Sequence, residues 1–149
     1  MARRKSSRFL HHRHWQMDSL ALGQFFLPTI EKMAVRIPQL RCAVLCTPDG
    51  FNICSLGLTE NQVGKMAALS SSLLSVGDAT VSSLAAEDGS QAAGLEMLTM
   101  EANGLQIVTT KINRAGGHMV LMAGARAPLG VVLVGVKATA ADLIKLLAE

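Results

Sequence analysis

The chain has 149 residues, half of them apolar, with 3% aromatic residues, no Tyr and a formal net charge of +3. That length suits one domain with a single core, and the apolar fraction is enough to build it. A core made of Leu, Val, Ile, Ala and eight Met lacks the rings that line base, sugar or flavin pockets, which excludes an aromatic cofactor cage.

The N-terminal residues are strongly basic. Arg3, Arg4, Lys5, Arg8 and Arg13 precede the first acid, Asp18, so this stretch carries +5 and the remainder −2. Residues 1–16 read as a flexible basic arm and 17–149 as the folded domain. Such an arm suits an anionic partner (nucleic acid, a membrane surface or an acidic protein face) and equally a solvated terminus. Its aromatics are only Phe9 and Trp15, so sequence-specific nucleic-acid recognition is not expected. Cys42, Cys46 and Cys54, an odd number without a secretory leader, point to free thiols in a reducing compartment, the cytoplasm. No run approaches the ~20 apolar residues of a membrane-spanning helix, and Gly130 to Val136 is far too short.

Met17 to Ile37 has a helical stripe in Leu20, Phe25 or Phe26, Ile30 and Met33. Pro28 is expected to kink or restart this helix, and Pro38 to end it. Arg41 to Thr47 alternates as a strand, with Cys42, Val44 and Cys46 on one face and Ala43 and Leu45 on the other. Thr47-Pro48-Asp49-Gly50 has the residues of a tight turn, and Phe51 to Ser55 returns as its partner strand.

Thr59 and Gln62 form a capping box for a helix over Glu60 to Ala86. Val63, Met66, Leu73, Leu74, Gly77, Val81 and Leu84 fall on one face of it. Ala68, Ser72, Ser75, Ala79, Ser82 and Ala86 fall on the opposite one. A solvent-facing stripe ordinarily carries Lys and Glu. Here small residues let a second helix backbone approach closely, most simply that of the same helix in another subunit. Packing under another element of the same chain, or mere tolerance of Ser and Ala at the surface, are the alternatives.

Leu95 to Glu101 and Leu105 to Ile112 are predicted strands joined by Asn103-Gly104, a strong hairpin signal. His118 to Gly124 adds a third after the turn at Arg114 to Gly117. Gly130 to Val136 is β-branched enough for a strand, whereas Thr139 to Glu149 is patterned as a helix. Local propensity places a boundary near Lys137.

No catalytic, cofactor-binding or metal-ligating set emerges. His118 is the only His outside the arm. Cys42 and Cys46 would stand about 13 Å apart on an extended strand, too far to share one zinc. No base is assignable to a Cys nucleophile, and no glycine-rich phosphate loop is present. Arg114 sits in a turn where an arginine finger is imaginable, but a solvated hairpin residue explains it more simply. Arg126 reads the same way.

The order of elements and turns resembles the roadblock family, of the dynein light-chain roadblock type with its bacterial MglB-like relatives. The residues that carry this run from Ile37 to Leu45, Asp49 to Ile53 and Lys65 to Leu69. They continue with Leu95 to Thr110, Gly117 to Gly124 and Pro128-Leu129-Gly130. The resemblance spans about Ser19 to Leu147. It rests on the ordered combination, since no single motif is diagnostic.

The resemblance implies an α/β (α+β) roadblock/profilin-like fold, α-β-β-α-β-β-β-α, with helices on the faces of a central five-stranded antiparallel sheet. It makes the segment from about Pro128 helical. It implies a homodimer through the long helix and the neighbouring edge strand, which here means Ala68, Ser72, Ser75, Ala79, Ser82 and Ala86 with Leu95, Met97 and Thr99. It further implies a non-catalytic regulator or scaffold for a small Ras-like GTPase, without cofactors. The alternative is a structural module of a signalling or motility assembly whose partners ignore nucleotide. Weak binding of an anionic surface by the arm is a third role.

Overall fold

The computed structural model describes residues 21–88 and 94–148; the basic arm lies outside them. Helix α1 is described over 21–31 and is followed by the short helix α2 (Met33–Arg36). Strands β1 (Leu40–Cys46) and β2 (Asn52–Leu56) precede helix α3 (Glu60–Asp88). Strands β3 (Met97–Ala102), β4 (Leu105–Arg114) and β5 (Gly117–Ala125) precede helix α4 (Leu129–Ala148). All pairings are antiparallel, in the order β2-β1-β5-β4-β3. The expected element order and sheet are therefore present, with helices on both faces.

The first helix departs from expectation at Pro28. It runs through the proline and breaks at Lys32 instead. Pro28 withholds one N–H from the preceding turn, but Pro28 and Gln24 are exposed, so water serves the carbonyl left over. Phe26, Ile30 and Met33 are fully buried on the other side and hold the helix in place.

The turns form as their residues require. The Gly50 N–H bonds to the Thr47 carbonyl at 3.0 Å, with Gly50 at φ 90°, a conformation open to glycine. Asn103 and Gly104 both have positive φ, 51° and 80°, as a two-residue hairpin turn demands. At the start of α3, Gln62 Oε1 accepts the Thr59 N–H at 3.1 Å, which is one half of the capping box.

The alternation of β1 divides the core into two layers. Ala43 and Leu45 join Phe26, Ile30, Val132, Val136 and Leu143 under α1 and α4. Val44 and Cys46 join Ala67, Leu74, Val120 and Met122 under α3. Helix α4 is continuous despite its valines. Its buried residues Val132, Val136, Thr139 and Leu143 follow a helical period, so burial overrides β propensity. Gly135 lets α2 come close, because a Cβ there would collide with the Ile37 side chain. Arg36 then ties α2 to α4 through Asp142 at 2.6 Å and Thr139 at 3.2 Å.

Candidate protein-interaction face

Helix α3 has 29 residues, about 43 Å at 1.5 Å per residue, whereas five strands span only about 20–25 Å. It crosses the sheet from one side to the other. Near its start the Ser71 hydroxyl donates to the Pro48 carbonyl, and the Cys46 thiol to the Ala67 carbonyl at 3.6 Å. Gly50, in the β1–β2 turn, lies close against Ala68. Further along, Gly77 makes room for Leu95, and Asp78 meets Lys111 of β4 at 2.5 Å. Beyond Asp78 the helix continues for ten more residues, to Asp88.

The stripe of small residues faces away from the sheet. Ala68, Ser72, Ser75, Ala79, Ser82 and Ala86 are all exposed. Sequence reasoning missed two larger members of this face, Leu69 and Val76, exposed at 49% and 65%. Heptad spacing would have found them, since positions 69, 72, 76, 79, 83 and 86 trace one seam. Leu84 corrects the sequence reading. It shares a face with Leu74 and Gly77 by helical phase, yet it is 62% exposed.

Next to this helix runs an open edge. β3 pairs with β4 on one side and with no other strand among the described residues. The Lys111 N–H bonds to the carbonyl of Glu96, its opposite residue. By the two-residue alternation of an antiparallel ladder, Leu98, Met100 and Ala102 also turn their backbone groups to β4. Met97, Thr99 and Glu101 turn theirs to the open edge. Leu95 would follow them, but its N–H is taken by Asp78 Oδ1 at 2.7 Å. Of the three expected edge residues, Met97 and Thr99 therefore lie on the strand, and Leu95 is folded against α3 just before it.

No protein-family model matches the sequence, and no curated protein does. Solved structures do. A roadblock/LC7 domain from Streptomyces avermitilis is 23% identical with a TM-score of 0.65, over 80% of this chain and 94% of that one. Myxococcus xanthus MglB is 20% identical with a TM-score of 0.64, over 83% and 88%. The gliding protein MglB of Thermus thermophilus is 19% identical with a TM-score of 0.64, over 86% and 92%. This chain has the roadblock fold. At these identities the likeness is one of fold.

The rest of the described fold offers little chemistry. Burial pushes the Cys46 and Cys54 thiols up to about 12 and raises Cys42 as well, so none is set up as a thiolate nucleophile. Among the described residues no group of three His, Cys, Asp or Glu is placed to hold a metal ion. No described helix is long and apolar enough to cross a membrane. His118 sits half-buried, held below the usual histidine value by burial and by the Lys111 cation. Arg126 donates to the Asn103 carbonyl at 2.9 Å and so braces the β3–β4 turn. Arg114 is exposed on the rim of an open depression shared with Ile144 and Leu147. Arg3, Arg4, Lys5, Arg8 and Arg13 lie outside the described residues.

Proposed function

We propose that this chain is a non-catalytic binding module that dimerises through α3 and β3 and regulates or scaffolds a small Ras-like GTPase. The observation that carries the dimer is the adjacency of two unsatisfied features. The outer face of α3 is uncharged from Ala68 to Ala86, and the edge of β3 beside it pairs with no other strand among the described residues. An edge of this kind recruits another strand unless it is blocked by charge, proline or a covering element. A solved MglB structure of the same fold, at 20% identity, is described as having a tetrameric arrangement, which supports self-association here. The GTPase partner follows from the resemblance to the roadblock family.

The test is affinity capture from native lysate in parallel with GDP and with a non-hydrolysable GTP analogue. Enrichment of a small GTPase with only one nucleotide supports the regulator. The same partners recovered with both would replace it by a nucleotide-independent scaffold. Light scattering of the double variant S75E/A79E tests the dimer, because two charges on the α3 stripe should yield folded monomers.

A further inference from the structure

Helix α1 carries an apolar strip that the core does not use. Phe26, Ile30 and Met33 are fully buried, whereas Leu22 and Phe25 are exposed at 36% and 52%. At about 100° per residue, Ala21, Leu22 and Pro28 fall within about 60° of Phe25, and all three are exposed. No charge occurs between Asp18 and Glu31, and Glu31 lies about 120° round the helix from Phe25. Single apolar side chains at a surface are ordinary, but a contiguous uncharged strip of them marks a contact.

We propose that this strip, together with the basic residues before it, docks on the surface of an anionic lipid membrane. The inference uses neither the dimer nor the GTPase. α1 covers the sheet face opposite α3, so lipid and a protein partner can be held at once.

The charge comes from Arg3, Arg4, Lys5, Arg8 and Arg13, +5 against −2 for the remainder. The remainder alone is not drawn to an anionic leaflet, so the basic residues set which side meets it. Arg13 is eight residues before Ala21, and on any path it stays within about 28 Å of the start of the strip. Each Lys or Arg near an anionic leaflet strengthens binding roughly fivefold. Phe9, Leu10, Trp15, Met17 and Leu20 are interleaved with these cations or follow them, and Trp favours the boundary between water and membrane.

Lipid fits this combination better than nucleic acid does. Phosphates would answer the cations, but a nucleic acid offers no apolar phase for Leu22 and Pro28. In interfacial binding, apolar side chains enter between headgroups and acyl chains while cations meet the headgroups. Lys32 is exposed, keeps helical geometry and returns to the strip seven residues after Phe25, where its stem lets the charge stay at headgroup level. The strip is also held in place. Gly23 brings α1 against the Ile53 carbonyl of β2, the strand at the end of the sheet, and Phe26 meets Phe25 edge-on at 5.2 Å.

The experiment is co-sedimentation of the full chain with vesicles of phosphatidylcholine alone or with about 30% phosphatidylserine. Fluorescence of Trp15, the only Trp of the chain, is read on the same samples. Binding only to the phosphatidylserine vesicles, a blue-shifted emission and an affinity that falls as salt rises are expected. R3Q/R4Q/K5Q/R8Q/R13Q should weaken binding by more than about a hundredfold. L22S/F25S should keep the circular dichroism of wild type and weaken binding about tenfold. W15F/F25W moves the fluorophore onto α1 without removing apolar area, and its emission should shift to the blue as well.

No binding to phosphatidylserine vesicles at low salt overturns the inference, as does equal binding to phosphatidylcholine alone. An unshifted W15F/F25W emission on bound vesicles removes α1 from the site, and it decides alone should L22S/F25S unfold. Tighter binding to a DNA duplex than to the vesicles makes nucleic acid the partner instead. None of these outcomes bears on the dimer, which light scattering reads separately.

Discussion

Asp78 joins three elements, and its replacement separates two interactions. Its carboxylate pairs with Lys111 at 2.5 Å and accepts the Leu95 N–H at 2.7 Å. Asp78→Asn keeps an acceptor for Leu95 but removes the charge facing Lys111. Asp78→Ala removes both. The side chains are 32% exposed for Asp78 and 17% for Lys111. The pair therefore stands between exposed pairs, worth about 0–1 kcal/mol, and buried ones, whose breakage costs about 3–5 kcal/mol. Solvent screening at the carboxylate places Asp78→Asn near the lower end, at about 1.5 kcal/mol. Asp78→Ala should cost about 1 kcal/mol more for the unpaired N–H.

At roughly 3 °C per kcal/mol for a chain of this size, the Asn variant should melt about 4–5 °C below wild type at pH 7. The measurement is thermal unfolding by circular dichroism at fixed protomer concentration. Hydrogen bonding from Lys111 holds the Asp78 carboxyl below its ordinary value of 3.8. A depressed folded-state value means that the contribution is complete above the unfolded value and is lost as pH falls toward the folded one. The gap between wild type and Asp78→Asn should therefore hold from pH 7 to about pH 5 and close progressively below about pH 3.8. Equal melting temperatures at pH 7, or a gap that persists undiminished at pH 2.5, would refute this account.

Four further outcomes are expected. Gly135→Ala should destabilise by about 1–2 kcal/mol despite the helix preference for Ala, because its Cβ collides with buried Ile37. Gly64→Ala in α3, with open space around it, should stabilise by up to about 1 kcal/mol; urea melts of both variants test the opposite signs. Thr109→Val should raise stability by about 1 kcal/mol, since the Thr109 hydroxyl is fully buried with no hydrogen-bond partner and valine keeps its shape; a lower urea midpoint would contradict this. At pH 8 Cys46 and Cys54 should react with a thiol-specific disulfide reagent only after denaturant is added, as burial holds both at about 12; rapid reaction of all three thiols in the native protein would show that this layer opens.

Much of the fold was legible because its signals are local. The Thr47–Gly50 and Asn103-Gly104 turns form from their own residues, and the alternation of Cys42 to Cys46 separates the two strand faces that enter different layers of the core. Where the sequence misled, a tertiary contact decided. Pro28 does not interrupt its helix because the turn it weakens is open to water. The valines of α4 are helical because one in each turn lies against the sheet and Gly135 admits Ile37. Neither contact is visible to a propensity, which averages over the environments a residue meets. Only the resemblance to a known fold resolved α4 in advance.

Leu84 and the stripe of small residues teach a different lesson about the candidate interface. Periodicity assigns each α3 residue to a face, but it cannot say where the sheet beneath that face stops. Leu84 has the right phase for the core and is nevertheless exposed. On the outer face, Ser and Ala make most of the seam, with Leu69 and Val76 the larger apolar members. Such a surface gains little by burial in random collisions. It gains more from a partner that brings helix against helix and strand against strand together, because small side chains permit close backbone approach only in that geometry. In the proposed dimer the edge of β3 would supply direction through hydrogen bonds, and α3 would supply area. Neither alone would specify one partner, and their adjacency favours a second copy of the same chain over a generic apolar ligand.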